Sequence, residues 1–247
     1  MTEIYIELGG KKAIAWSLEW PGWCRIRTSE AAAVQALIET EVRYRLIAQR
    51  AGLKFAPGDL MVVERLPGDA NTAWGVPSVL APAETRPIDV VTAQRNVSLL
   101  RAAWDMLEEV VMASSAELRK GPRGGGRDRD GIWHHVIEAE RACARKIGVR
   151  RPPFEVNDKS ALKAMREEIA AVLSNPRQPA ASCWLPGVGT PVTRSGAWPG
   201  MWSITSGKSK IVEADSCGAQ GGPGQASWPE FGRDALRSLL VRGGCGR

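Results

Sequence analysis

Histidine is nearly absent from this chain. His134 and His135 are the only two among 247 residues. An H-x-x-x-H pair therefore does not exist in the sequence as written, and neither does a set of three imidazoles. Long apolar runs are missing as well. No stretch approaches the 18 or so apolar residues that a membrane-spanning helix needs. The five cysteines are odd in number, scattered, and free of any C-x-x-C pair. That argues against a disulfide scaffold and an all-cysteine zinc site, and it fits a reducing compartment. The opening residues Met1 to Ile6 lack the basic and apolar regions of a secretory signal. The expectation is a cytoplasmic protein with no membrane partner.

What is present divides unevenly. Apolar residues make up 44% and charged residues 24%, as in ordinary globular proteins. The length suits one or two domains. The formal net charge is +6, and most of it lies late. Residues 176–247 carry eight Lys/Arg against four Asp/Glu, with 13 of the 26 glycines and four of the ten tryptophans. This segment has no helical or strand period, unlike everything before it.

Residues 1–27 read as strands. Ile4, Ile6 and Leu8 alternate with Glu3, Tyr5 and Glu7, the pattern of a half-buried strand. Gly9 to Lys12 is a turn, Ala13 to Trp20 a second strand, and Trp23 to Arg27 a third after the Pro21-Gly22 break. Thr28 or Ser29 caps a helix with Val34, Leu37, Ile38, Val42 and Leu46 as its apolar stripe, ending at Gly52. Leu60 to Val63 reads as another strand. Prolines then recur through residues 66–87. From Asp89, Val90, Val97, Leu100, Trp104, Leu107 and Val111 recur at helical spacing. A second helix follows, capped at Asp130 and stopped by Gly148. A third is capped near Asp158 and carries Leu162, Met165, Ile169, Val172 and Leu173. Three long helices suggest a bundle, and a fourth is not visible.

The first 50 residues resemble a HicB-type module. The carrying stretch is a strand, then Ser17-Leu18-Glu19-Trp20-Pro21-Gly22-Trp23-Cys24, then Thr28-Ser29-Glu30-Ala31 opening a helix. The family outline has Pro-Gly-Cys where this chain has Pro-Gly-Trp-Cys, one residue longer. Residues 88–174 resemble the DinB-like superfamily of four-helix-bundle metalloenzymes. There the carrying stretch is Arg127 to Glu140, with an apolar residue and His followed by an acid about a turn later. In that family the His is one of three metal ligands, and the other two form the H-x-x-x-H pair of the last helix. The resemblance implies His135, or alternatively His134, as the matching ligand. It also implies a divalent metal, zinc or nickel, in the intact form, activating water or a thiol for hydrolysis or transfer. The missing pair implies that this chain binds little metal and lacks that activity.

The irregular ending has a candidate cause in the genetic code. Joining the third base of each codon to the first two of the next, Trp198-Pro199 must read alanine and Met201-Trp202 must read valine. Gly200-Met201 allows His, and so does Ile204-Thr205. The string Ala-Trp-His-Val-Val-Asp-His is compatible throughout, and it restores the missing H-x-x-x-H. Val212-Glu213 and Ala214-Asp215 can each then read as a stop. A slip of frame between about Leu173 and Ser182 accounts for the tail; a lineage-specific irregular tail is the alternative.

Other motifs carry less. Ser206-Gly207-Lys208-Ser209 lacks the first glycine of a P-loop, since Trp202 stands there. Gly124-Gly125-Gly126 is a linker. Asp128-Arg129-Asp130-Gly131 lacks the remaining acids of a calcium loop. Cys143 faces the bundle either as a buried thiol or as a soft ligand. Glu138 and Glu140 are surface acids, or they orient the His or act as a base. Trp16, Trp20 and Trp23 form an exposed patch or pack in the core.

The expected fold class is α+β. It comprises a small HicB-like β-β-β-α module (1–65), a Pro-rich linker (66–87), a DinB-like up-down helical bundle whose fourth helix is missing or scrambled (88–175), and an irregular, out-of-frame tail (176–247). The competing function is a non-enzymatic, antitoxin-like binding module. The partners expected are a protein docked on the N-terminal module and a second copy of the chain. There is no strong nucleic-acid signal.

Overall fold

The computed structural model describes residues 1–73, 75, 77–118 and 128–175. The irregular tail, the window of the proposed slip from residue 176 on, the Gly124–Gly126 linker and the P-loop-like tetrapeptide all lie outside these residues. The fold is α+β, as expected. Strands β1 (Thr2–Gly9), β2 (Lys12–Trp16), β3 (Cys24–Arg27) and β4 (Leu60–Pro67) form one sheet in the order β3-β2-β1-β4. β1 pairs antiparallel with β2 and parallel with β4, and β3 runs antiparallel to β2. Gly9 pairs with Lys12, so the β1–β2 turn has only two residues, and Gly10 supplies the positive φ of 57° there.

The second strand ends four residues earlier than its composition suggests. At Ser17 the chain folds into a tight loop: the Trp23 amide donates to the Trp20 carbonyl at 3.0 Å, and the Ser17 amide donates to the Trp23 carbonyl at 3.2 Å. This loop turns Trp20 and Trp23 inward. The Trp23 indole N–H donates to the Leu37 carbonyl at 3.1 Å, and the Tyr44 hydroxyl donates to the Pro21 carbonyl at 2.7 Å. Trp16, Trp20 and Trp23 are all buried, which decides their role in favour of the core.

The helix expected over residues 30–51 forms as two, α1 (Glu30–Glu39) and α2 (Glu41–Arg50). Ser29 caps α1 by accepting from the Ala32 amide. The break is at Thr40, whose hydroxyl donates back to the Ala36 and Leu37 carbonyls. The inward face is Ala33, Ala36, Leu37, Tyr44 and Ala48. Of the expected stripe only Leu37 is fully buried. Ile38 is 48% and Val42 54% exposed. The alanines bring the helix close to the sheet, and Trp23, Tyr44 and Phe55 fill the volume that branched side chains would otherwise occupy.

Three long helices follow: α4 (Val90–Ala113), α5 (Arg129–Lys146) and α6 (Lys159–Leu173), with the short α3 (Ala70–Ala73) before them. Asp89 and Asp158 cap α4 and α6 through their side chains, the second as read from the sequence. The N-cap of α5 is Asp128 rather than Asp130, which sits in the first turn beside Arg129. α6 packs on both α4 and α5, and α2 packs on α4.

One hydrophobic cluster runs from Ile4 and Ile6 through Trp23, Leu37 and Tyr44 to Leu100, Trp104, Ile137, Met165 and Ile169. Two contacts reinforce this join: Arg50 pairs with Glu109 at 2.7 Å, and the Arg95 guanidinium lies 4.2 Å from the centroid of the Trp20 ring. The proline-rich segment covers the opposite face of the sheet. Leu66 and Ala81 join Tyr5, Ile14, Trp16 and Cys24 in a second cluster there. β1 is therefore buried on both faces from Ile4 to Glu7, whereas alternation alone suggested one.

Candidate functional site

The residues nominated by sequence lie along α5. Successive positions on a helix differ by about 100°, so neighbours in sequence take different surroundings. Trp133, Ile137, Glu140 and Ala144 recur at helical spacing, and all but the half-buried Trp133 are buried. His134 is exposed and His135 is half-buried. Cys143 is a free thiol largely inside the bundle, and its burial pushes its pKa up to about 11. A thiol so shifted stays protonated at neutral pH and is a poor nucleophile or ligand.

The two glutamates are committed to arginines. Glu138 receives a bond from Arg141 at 2.6 Å, one turn along the same helix. Glu140 receives two bonds from Arg166 on α6, at 3.0 and 3.1 Å. The third face of that guanidinium donates to Glu108 on α4. The Trp104 and Trp133 rings flank it, with centroids 5.1 and 5.8 Å from its carbon. Arg166 and Glu140 are both buried, while Glu108 is half open to solvent. One cation thus ties all three bundle helices together.

Burial pushes the Glu140 carboxyl above its ordinary range, and the adjacent Arg166 charge pulls it back. With both carboxylates ionised the triad has one negative charge in excess. Three of the five N–H donors of its guanidinium go to these two carboxylates.

Sequence reading singled out Glu140 but missed Arg166, Glu108 and the two tryptophans as its partners. A usable signal was there. Arg166 falls inside the stripe Leu162, Met165, Ile169, and Glu140 falls inside the stripe Trp133, Ile137, Ala144. Opposite charges within two facing apolar stripes mark an ion pair.

Whether these residues suit a divalent metal follows from the donor set. His135 has His134 as its only fellow imidazole in the chain, and that side chain points to solvent. Glu138 and Glu140 are held by arginines, and the thiol is protonated. Among the described residues no group of three or more His, Cys, Asp or Glu is placed to hold a metal ion. The residues described do not fit a three-ligand centre.

A second buried carboxylate lies on the other face of the sheet. Glu7 on β1 is fully buried, and no cation among the described residues pairs with it. It accepts from the Thr72 hydroxyl, from the Ser78 amide at 3.2 Å and hydroxyl at 3.1 Å, and from the Val79 amide at 3.4 Å. Asp69 lies beside it and accepts from the Ser78 hydroxyl at 2.6 Å. Burial raises the Glu7 pKa against the pull of these donors. The arrangement fastens Thr72, Ser78 and Val79 to the sheet. Alternation had placed Glu7 on a solvent face, so nothing in its spacing announced this.

Comparison with protein families, with curated proteins and with solved structures finds no match. No helix among the described residues is long and apolar enough to cross a membrane.

Proposed function

We propose that the chain is a non-catalytic relative of the DinB-like metal-binding bundles, joined to a HicB-like module and read out of frame near its end. The observation that carries this reading is the set of donors around His135. It has no H-x-x-x-H pair to complete it, and the carboxylates on its own helix are engaged by Arg141 and Arg166. The shifted frame is compatible with two histidines at the needed spacing. The intact protein would then hold zinc or nickel, and the metal would supply Lewis-acid activation of water or a thiol.

The test is calorimetric titration of the full chain with Zn²⁺ and with Ni²⁺. The expected result is no saturable one-to-one binding tighter than about 10 µM, the level at which binding releases roughly 7 kcal/mol. Tight one-to-one binding that is lost in His135→Ala contradicts the reading.

One observation favours the competing reading of a protein-binding module. β4 is an edge strand eight residues long, with Met61 and Val63 partly exposed. Such an edge can accept a partner strand, although the bulge between Ile4 and Tyr5 in its pairing works against a regular extension. A full-length chain that loses a purified partner on Val63→Pro, with its fold intact, would support that role.

A further inference from the structure

β4 ends the sheet, and among the described residues it pairs with β1 alone. Its outer edge therefore offers backbone donors and acceptors that no neighbouring strand takes. The two faces of that edge differ in charge, and the bulge is part of the reason. It falls between the pairs Ile4–Val62 and Tyr5–Glu64, so Val63 is skipped. Without the bulge Tyr5 would stand opposite Val63. The irregularity puts a carboxylate beside Tyr5 in place of an apolar side chain, as bulges do when they re-aim a residue.

Side chains two apart on a strand share a face, so Glu3 lies on the Tyr5 face as well. Glu3 is exposed and Glu64 half-buried, and neither has a cation partner among the described residues. The Tyr5 side chain is only 6% exposed, yet its hydroxyl has no hydrogen-bond partner among the described residues. Burial, and then the charges of Glu3, Glu64 and Glu84, push its pKa up, while Arg86 pulls the other way. Glu84 is itself engaged by the Ala81 amide. The opposite face of the edge is neutral. Leu60 and Val62 pack there, half-buried, against the main cluster, and Arg65 is paired with Glu30 at 2.8 Å.

We propose that this edge takes an extended segment of another protein in which basic residues alternate with apolar ones. The Lys or Arg side chains reach over the Tyr5 face toward Glu64 and Glu3, and the apolar ones lie beside Leu60 and Val62. The proposal rests on the edge-strand reading given above and adds the chemistry of the partner. Opposite charges across neighbouring strands favour such a segment, and like charges disfavour an acidic one. A second copy pairing antiparallel through its own β4 would bring its Glu3 and Glu64 to the same face, so like charges disfavour that occupant too.

Two capped eight-residue peptides, one alternating lysine with valine and the other glutamate with valine, test this against the full-length chain by fluorescence anisotropy. The chain's net charge of +6 repels the lysine peptide overall, so a preference for it reports the local carboxylates. The expected preference is about ten-fold at low salt, with slower hydrogen exchange at the β4 amides when the lysine peptide is bound. Glu3→Gln combined with Glu64→Gln is expected to abolish the preference, and Glu3→Lys combined with Glu64→Lys to reverse it, with unchanged circular dichroism spectra. Equal affinity for the two peptides, with β4 protected by both, leaves the edge-strand reading standing and overturns this inference. A preference that survives the glutamine pair overturns it too. So does a lysine peptide that fails to bind at about 1 mM, or one that binds without slowing exchange in β4.

Discussion

Arg166 is the residue on which the bundle turns. It satisfies one carboxylate that is buried and one that is half exposed, and it lies between two indole rings. Arg166→Ala leaves Glu140 buried without a partner, and the expected loss is about 3–5 kcal/mol in urea unfolding. Arg166→Met combined with Glu140→Leu removes both charges and keeps the volume. That pair is expected to recover most of the loss, to within about 1–2 kcal/mol of wild type. A double variant as unstable as Arg166→Ala would show that the triad has a role beyond charge compensation.

Glu7 predicts a pH dependence of definite sign. Its folded-state pKa is raised by burial, so the folded protein holds this proton more firmly than the unfolded chain. The stability tied to that proton is fully present below the ordinary glutamate pKa. It is lost as pH rises through the raised folded value. Urea midpoints measured from pH 4 to pH 8 should therefore show a downward contribution that is absent in Glu7→Gln. Identical pH profiles for the two proteins would show that the surrounding donors fully offset the burial.

At the scale of elements, most of the framework was legible. The first strand, the glycine turn, the aspartate cap at 158 and the 3.6-residue stripes of α4 from Val97 to Val111 and of α6 from Leu162 to Ile169 are local signals, and each formed where read. Three features were not legible, and each depends on what packs from elsewhere. β1 looked half-buried because nothing in it reveals that Leu66, Val79, Ala81 and Ala83 fold back over its second face. The stripe of α1 was misjudged because small residues, not branched ones, face the sheet. β2 was read too long because Ser17 to Trp20 have strand-like composition, yet their side chains are needed in a loop that aims Trp20 and Trp23 inward.

The fold-back has its own test. A Cβ on Gly68 would lie 2.3 Å from the Thr72 hydroxyl oxygen and 2.6 Å from its Cβ. Gly68→Ala is therefore expected to destabilise by about 1–3 kcal/mol, with faster hydrogen exchange at the Ser78 and Val79 amides. Unchanged exchange would show that the segment is held independently of Thr72.

For the whole molecule, the main consequence is the shared core. The sheet module and the bundle contribute to one cluster, and Trp20, Trp23, Trp104 and Trp133 report from both ends of it. Met165→Ala, at a position 1% exposed on α6, is expected to cost about 2–5 kcal/mol. It should lower the tryptophan-fluorescence and circular-dichroism transitions together, as one cooperative unit does. Two separated transitions would show that the modules unfold independently despite the common cluster. The candidate metal site belongs to this scale too. The resemblance pointed to His135 on α5, but a three-ligand centre draws on several helices, and among the described residues no group of three or more His, Cys, Asp or Glu is placed to hold a metal ion.

The most direct test of the proposed slip of frame is to resequence the source DNA across codons 170–215. A single base gained or lost between about codons 173 and 182 is the result predicted; the corrected chain then ends in a helix bearing His-x-x-x-His and stops soon after. An unaltered frame through codon 215 contradicts the account, and the chain would then have to be explained as a bundle that never had its metal ligands.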